Sequence, residues 1–317
     1  MLWSCRSPAA PKTGSMLCKP FFAYEPCHQK RRAQQVRRLL YPLTMGAFCL
    51  VLATILYIWD RFGLFLPPPE PFSFPHGKRM AYVSSWDDTG NIHSMHLIAR
   101  LQLLEGITFP LTINAQTIAL SNATVAEYRR LLCRGVGDRV ESHTWSHIEG
   151  GHDPINDPRE YVLSQRAIQR AFGCEHGTTL TYPRGHVPES RGTKNLISHL
   201  YAAGRSTQHG LFRADADIFA LPCIAVEDIT PVDIERAMAA GAVLISYGHG
   251  VEGSGWRPIP QARLLQHMRH LKDYSSDIWF TTLPEVVAHL RSTGQLAPRR
   301  EELWRCRERA PASGCTA

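Results

Sequence analysis

MAYVSSWDDT, residues 80–89, decides how this chain is read. MAYVSS (80–85) is a short apolar run of strand length, and it leads directly into two adjacent carboxylates, Asp87 and Asp88. Neighbouring side chains on an extended backbone point in different directions. One carboxylate can therefore bind a metal while the other handles a proton.

The pattern recurs along the chain. MHLIARLQLL (95–104) has the apolar spacing of a helix, ITFPLTI (107–113) reads as a strand, VAEYRRLLC (125–133) as a helix and RVESH (139–143) as a strand. A helix at 158–172, a strand TTLTY (178–182) and a helix at 193–203 follow. PVDIERAMAAG (231–241) is a helix with a glycine stop, AVLISYG (242–248) a strand, PQARLLQHMRHL (260–271) a helix, DIWF (277–280) a strand and PEVVAHLR (284–291) a last helix. This alternation predicts a parallel sheet. About six or seven repeats in roughly 210 residues predict barrel-like closure rather than an open sheet.

Polar residues gather at the C-terminal ends of these strands. His143 ends the strand 139–143 and His147 comes four residues later; Tyr182, Pro183, Arg184 and Gly185 end the strand 178–182; His249 follows 242–248. In a parallel barrel those ends share the face on which active sites are built. The spacing of His143 and His147 predicts a helical turn that aligns both imidazoles. Two histidines and one carboxylate make an open metal site, and zinc suits that set. Trp256, in GSGWRP (253–258), is a candidate for stacking on a sugar ring. His267 and His270 are read as solvated residues of a surface helix.

The formal net charge of +7 over 317 residues resides in front of the domain. Residues 1–38 carry eight basic side chains and one acidic, which is the whole excess. A nucleic-acid binder would place that field on its folded domain, so nucleic acid is excluded as a partner. YPLTMGAFCLVLATILYIW (41–59) is free of formal charge, follows Arg37 and Arg38, and at 1.5 Å per residue reaches roughly 28 Å. It is read as one transmembrane signal anchor. The basic flank stays cytoplasmic and the domain that follows is exported, to the periplasm or the extracellular space. The organisation expected is a basic N-terminal tail (1–40), the anchor (41–59), a Pro-rich linker (60–79), a catalytic domain (80–291) and a C-terminal tail (292–317). Of nine cysteines, Cys133 and Cys223 adjoin apolar segments and are read as buried free thiols.

These residues resemble the polysaccharide deacetylases of the NodB-homology family. SWDDT (85–89) looks like that family's T-F-D-D-G, SHTWSH (142–147) matches its H-[ST]-x-x-H, and TYPRG (181–185) resembles its Y-P-x-G motif. ISYGHG (245–250) resembles the strand that ends in the catalytic histidine, and DIWFTTLPEV (277–286) the closing segment. The resemblance implies a deformed (β/α) barrel, here preceded by one transmembrane helix. It implies removal of acetyl groups from N-acetylated, sometimes O-acetylated, polysaccharide. Asp87 would be the general base; Asp88, His143 and His147 would hold the metal. The backbone amide of Arg184 would stabilise the oxyanion, and His249 would protonate the leaving group. Tyr182, Pro183 and Trp256 would contact substrate. Thr181 stands where many members have an arginine that pairs with the base, and Thr89 replaces a glycine. The alternatives are a metal-dependent amidohydrolase acting on a non-sugar amide and a tethered carbohydrate-binding protein without activity.

Overall fold

The structure is a computed structural model that describes residues 48–51, 53–54, 69–88, 92–135, 137–147, 154–253 and 255–298. The chain divides into two compact units, residues 1–68 and 69–317. In the first, residues 48–51, 53 and 54 are helical and exposed. The rest of 41–59 lies outside the described residues, as do Thr89 and the tail from 299. Among the described residues no helix is long and apolar enough to cross a membrane.

The second unit is built on strands β1 (Met80–Asp87), β2 (Leu111–Ala115), β3 (Arg139–Ser142), β4 (Thr179–Thr181), β5 (Ala203–His209), β6 (Leu221–Ala225), β7 (Val243–Gly248) and β8 (Ile278–Thr281). The helices are α1 (Ile92–Glu105), α2 (Asn122–Cys133), α3 (Pro158–Phe172), α4 (Arg191–Leu200), α5 (Pro231–Ala240), α6 (Gln261–Asp273) and α7 (Leu283–Ser292). Strands β1 to β7 pair in parallel around a ring that closes between β1 and β2. β1 shares one edge between two partners. Met80–Val83 pair with β8, and Ser84–Asp87 pair with β2. The ring is thus a distorted barrel, with β8 inserted at its N-terminal end.

All eight residues of β1 are buried, as expected of a parallel strand covered on both faces. Met80, Tyr82 and Trp86 point outward into a cluster with Met95, Ile98 and Leu101 of α1 and Leu264, Met268 and Leu271 of α6. Ala81 and Val83 point inward and pack with Ala203, Leu221, Cys223, Val243 and Ile245. Val286 and Leu290 of α7 belong to this inner cluster, and Arg291 donates to the carbonyl of Ala202, so α7 covers the N-terminal end of the strands. α5 and α7 are each opened by a reciprocal capping box, Thr230 with Asp233 and Thr282 with Glu285.

The structure revises several details of the sequence reading. β5 and β6 were not anticipated, because AGRSTQH and LPCIA lack the apolar alternation of strands. Phe72 and Phe74, within the segment read as a linker, are buried in the inner cluster beside Phe212. The turn is fixed at Gly241, which has φ +54 and would, with a Cβ, meet Pro71 at 2.5 Å. His267 is 1% exposed, not solvated, and its Nε2 lies 2.9 Å from Tyr82 Oη. The reason is its position on the inner face of α6, alongside Leu264, Met268 and Leu271. Cys133 is not a free thiol: it and Cys174 are disulfide-bonded. Cys223 is free and buried, as expected.

Candidate active site

Barrel parity selects the residues that face the cavity. Along β1 the inward positions are Ala81, Val83, Ser85 and Asp87, which places Asp87 at the top of the interior. Its register partner on β2 is Asn114, and that of Asn114 on β3 is Glu141. On the far side Thr181 of β4 is the register partner of Arg205 of β5. Strands of ordinary length carrying polar residues inward only near their C-terminal ends produce an apolar base under a polar mouth.

Asp87 is 3% exposed and held from both flanks. Nη2 of Arg205 lies 2.6 Å from each carboxylate oxygen. Nδ2 of Asn114 donates to Oδ1 at 2.8 Å and to Ser85 Oγ at 2.6 Å. Burial, the largest influence, pushes the Asp87 carboxyl up, but the Arg205 charge, with His143 and His249, outweighs it and holds the group at about 2. Asp87 is therefore ionised at neutral pH. Neither Arg205 nor Asn114 was singled out from the sequence. Arg205 sits in a segment too polar to read as a strand, and Asn114 follows the strand read at 107–113.

Asp88 turns away from Asp87 with φ +72. Its Oδ1 lies 3.8 Å from Nε2 of His143 and 3.4 Å from Nε2 of His147. Ligand atoms from these three residues all lie within 4.8 Å of one another. Nδ1 of His143 is 2.9 Å from the carbonyl oxygen of Thr181, so Nδ1 carries the hydrogen and Nε2 presents its lone pair to the site. Burial pushes the pKa of His143 down, which favours the neutral, ligating form. Two imidazole nitrogens and a carboxylate, one imidazole oriented from behind, fit a divalent cation.

The two histidines do not share a helical turn. Residues 143–147 form a loop with left-handed backbone at Thr144 (φ +65) and His147 (φ +56). Glu160 of α3 holds it: the amide and hydroxyl of Ser146 donate to its carboxylate at 2.8 and 2.9 Å. The amides of Thr117 and Ile118 donate to the carbonyls of Thr144 and Trp145. The loop, not a helix, brings His147 back to within 4.7 Å of His143, centroid to centroid.

The other candidate residues lie in the segments that follow β4 and β7. Arg184 is exposed and has φ +55, inside the short turn Pro183–Gly185. Gly185 has φ +73, and a Cβ there would collide with Oγ1 of Thr207, so the turn packs directly on β5. Tyr182 and Pro183 are buried, with Tyr182 in a cluster with Tyr161, Leu180 and Tyr201. His249 is half-buried, and its ring contacts Tyr247 and Trp256 edge to face at 5.9 and 4.9 Å. Trp256 is 61% exposed, with the Arg257 guanidinium 5.6 Å from its ring. The loop that carries Trp256 is closed at its neck by the Val251–Ile259 bridge.

No family model and no curated protein matches the sequence. Solved structures do match. A Mycobacterium smegmatis protein assigned to the polysaccharide deacetylases aligns over 77% of this chain and 100% of its own, with 16% identity and a TM-score of 0.53. A Pseudomonas aeruginosa PAO1 protein with the same assignment aligns over 74% of this chain and 97% of its own, with 12% identity and a TM-score of 0.50. Puue allantoinase aligns over 73% and 96%, with 15% identity and a TM-score of 0.49. The closed parallel ring and the first two of these alignments agree with the motifs: this chain has the fold of the polysaccharide deacetylases.

Proposed function

We propose that the protein is a metal-dependent hydrolase that removes acetyl groups from an N-acetylated polysaccharide. The observation that carries this reading is the convergence of Asp88, His143 and His147 beside a buried, ionised Asp87. Zinc is the cation the ligand set suits best. When bound, it supplies Lewis acidity at the acetyl carbonyl.

The chain's own residues divide the rest of the chemistry. Asp87 accepts the proton of the attacking water. The backbone amide of Arg184 opposes charge that develops on the acetyl oxygen. His249 donates a proton to the departing amine or alkoxide. Trp256 offers its exposed face to a sugar ring next to the acetylated one, and Tyr182 and Pro183 shape the turn that borders the substrate. The segment 41–59 anchors the protein in a membrane, with the domain on the extracytoplasmic side. Disulfide-bonded Cys133 and Cys174 support an oxidising compartment.

The test is acetate release by the zinc-loaded full-length protein from chito-oligosaccharide, peptidoglycan, an acetylated exopolysaccharide and acetylated xylan, beside a panel of small amides. Release from at least one glycan, abolished by chelation, is expected. Turnover of the amides alone would replace this reading with a non-sugar amidohydrolase. Tight glycan binding with no bound metal would replace it with a lectin-like role.

A further inference from the structure

We propose that Glu141 is a positioning residue of His143: its buried carboxylate closes the seam between β3 and β4 and so holds the Thr181 carbonyl against Nδ1 of the imidazole. The proposal rests on His143 being a metal ligand. It concerns how that ligand is held, not which polymer is served.

β3 and β4 meet along a thin seam. A single register pair, Ser142 with Leu180, joins them, whereas four pairs join β2 to β3 and three join β4 to β5. Other groups supply the remaining rungs. Val140 donates its amide to Nδ1 of His176 at 3.0 Å and accepts from the amide of Gly177 at 2.9 Å. Glu141 accepts from the amide of Thr179 on Oε2 at 2.6 Å, and the hydroxyl of Thr178 reaches its two oxygens at 3.3 and 3.4 Å. Ser142 follows with Leu180, and His143 with the carbonyl of Thr181 at 2.9 Å. Residues 140 to 143 thus engage residues 176 to 181 in order, like the teeth of a zipper. The last rung orients a metal ligand, and the second is made by a carboxylate in place of a backbone carbonyl.

Glu141 is 0% exposed and, as the register partner of Asn114, faces the interior of the ring. An apolar side chain cannot replace it. The amide of Thr179 would lose its acceptor, and a buried donor left unpaired costs more than an ordinary hydrogen bond contributes. The seam would then shift until that amide found another partner. β4 is only three residues long, Thr179–Thr181, so a displacement at its first residue reaches the carbonyl of its last. That carbonyl fixes the tautomer of His143 and the plane of its ring. The influence of Glu141 on the metal therefore runs through the backbone of β4.

Four full-length variants test this: Glu141→Ala, Glu141→Asp, Glu141→Gln and Leu131→Ala. Leu131 packs in the outer cluster with Val140, so the last variant is the control for lost stability alone. The readouts are metal-free crystal structures, Tm, zinc affinity by chelator competition, and the visible spectrum of the cobalt-loaded protein. Glu141→Ala is expected to break the bond between His143 and the Thr181 carbonyl, to weaken zinc binding about 10- to 100-fold, and to alter the cobalt spectrum, as loss of a residue that orients a ligand does. Glu141→Asp falls one methylene short of Thr179 and is expected to show the same changes in milder form; it guards against misfolding of the alanine variant. Glu141→Gln keeps an acceptor of the same length and is expected to retain the cobalt spectrum and a zinc affinity within about threefold of the parent. Leu131→Ala is expected to lower Tm while zinc affinity stays within about twofold. Parent-like zinc affinity and an intact bond to Thr181 in Glu141→Ala, or in Glu141→Asp where the alanine variant does not fold, would overturn the proposal. So would a loss in Glu141→Gln or Leu131→Ala as large as that in Glu141→Ala or Glu141→Asp. A parent protein that binds no zinc would overturn the metal-site reading instead, and the metal-free structures would still decide whether Glu141 holds the imidazole in place.

Discussion

Nδ1 of His143 donates to the backbone carbonyl of Thr181 at 2.9 Å. This bond ties a candidate metal ligand just after β3 to the strand edge of β4, so the ligand is aimed by the barrel wall rather than by a mobile side chain. His143→Ala is expected to weaken zinc affinity by at least about 100-fold and to abolish turnover. Zinc content after dialysis against a graded chelator checks it. Retention of stoichiometric zinc would remove His143 from the ligand set.

Asp87 is next to a ligand but is assigned the proton. Asp87→Asn preserves the shape of the side chain while removing its basicity. The variant is expected to bind zinc like the parent and to lose about 100- to 10,000-fold in kcat. Parallel metal analysis and acetate release separate the two effects.

Glu160 touches no ligand, yet both of its carboxylate oxygens hold Ser146, one residue before His147. Glu160→Ala is expected to lower zinc affinity about 10- to 100-fold, as loss of a residue that orients a ligand does. Competition with a chromogenic chelator reads this directly. An unchanged affinity would mean that the loop keeps its left-handed residues without Glu160.

Burial holds His267 at about 3 and His176 at about 4, both below the ordinary 6.5. Arg263 and His270 add to the effect on His267, whereas Glu175 opposes it at His176. The unfolded chain then takes up protons that the folded one refuses, so stability present above about pH 6.5 is lost as pH falls through that window. Each histidine contributes a slope of at most roughly 1.4 kcal/mol per pH unit. His267→Gln is expected to lower stability at neutral pH, by losing the bond to Tyr82, and to flatten the decline on acidification. Urea unfolding at a series of pH values measures both.

Trp256 stands exposed over His249 at the mouth. Trp256→Ala is expected to raise KM for an oligosaccharide about five- to tenfold, the worth of one aromatic stacking contact. Trp256→Phe is expected to recover most of it. Steady-state kinetics against chain length provides the check, and a length-independent KM would argue against a sugar subsite there.

What the sequence makes legible is local and apolar. MAYVSS and AVLISY show as strands because their runs are apolar, and the acids and imidazole that follow them are visible as interruptions. The ring closure follows from alternation alone. What escapes the sequence lies where function replaces packing. AGRSTQH folds as β5, yet Arg205, Thr207 and His209 occupy the alternating positions that apolar residues would otherwise mark. The partner of Asp87 is 118 residues away and becomes apparent only when strand register is known. The four-residue spacing of His143 and His147 is a helical signal, but the left-handed residues between β3 and α3 override it. His267 shows that a histidine on a polar-looking helix can face inward when a tyrosine hydroxyl awaits it.

The close pairing of Arg205 with Asp87 has an effect beyond aim. The two opposite charges cancel each other, and the carboxylate of Asp88 stands beside the rings of His143 and His147. A dication seated on Asp88 would turn that region net cationic. Such a field welcomes an electron-rich carbonyl and repels an ammonium group, which is what a freshly exposed sugar amine becomes once protonated. On the deacetylase reading proposed above, the same electrostatics that attract an acetylated chain would help expel a deacetylated one.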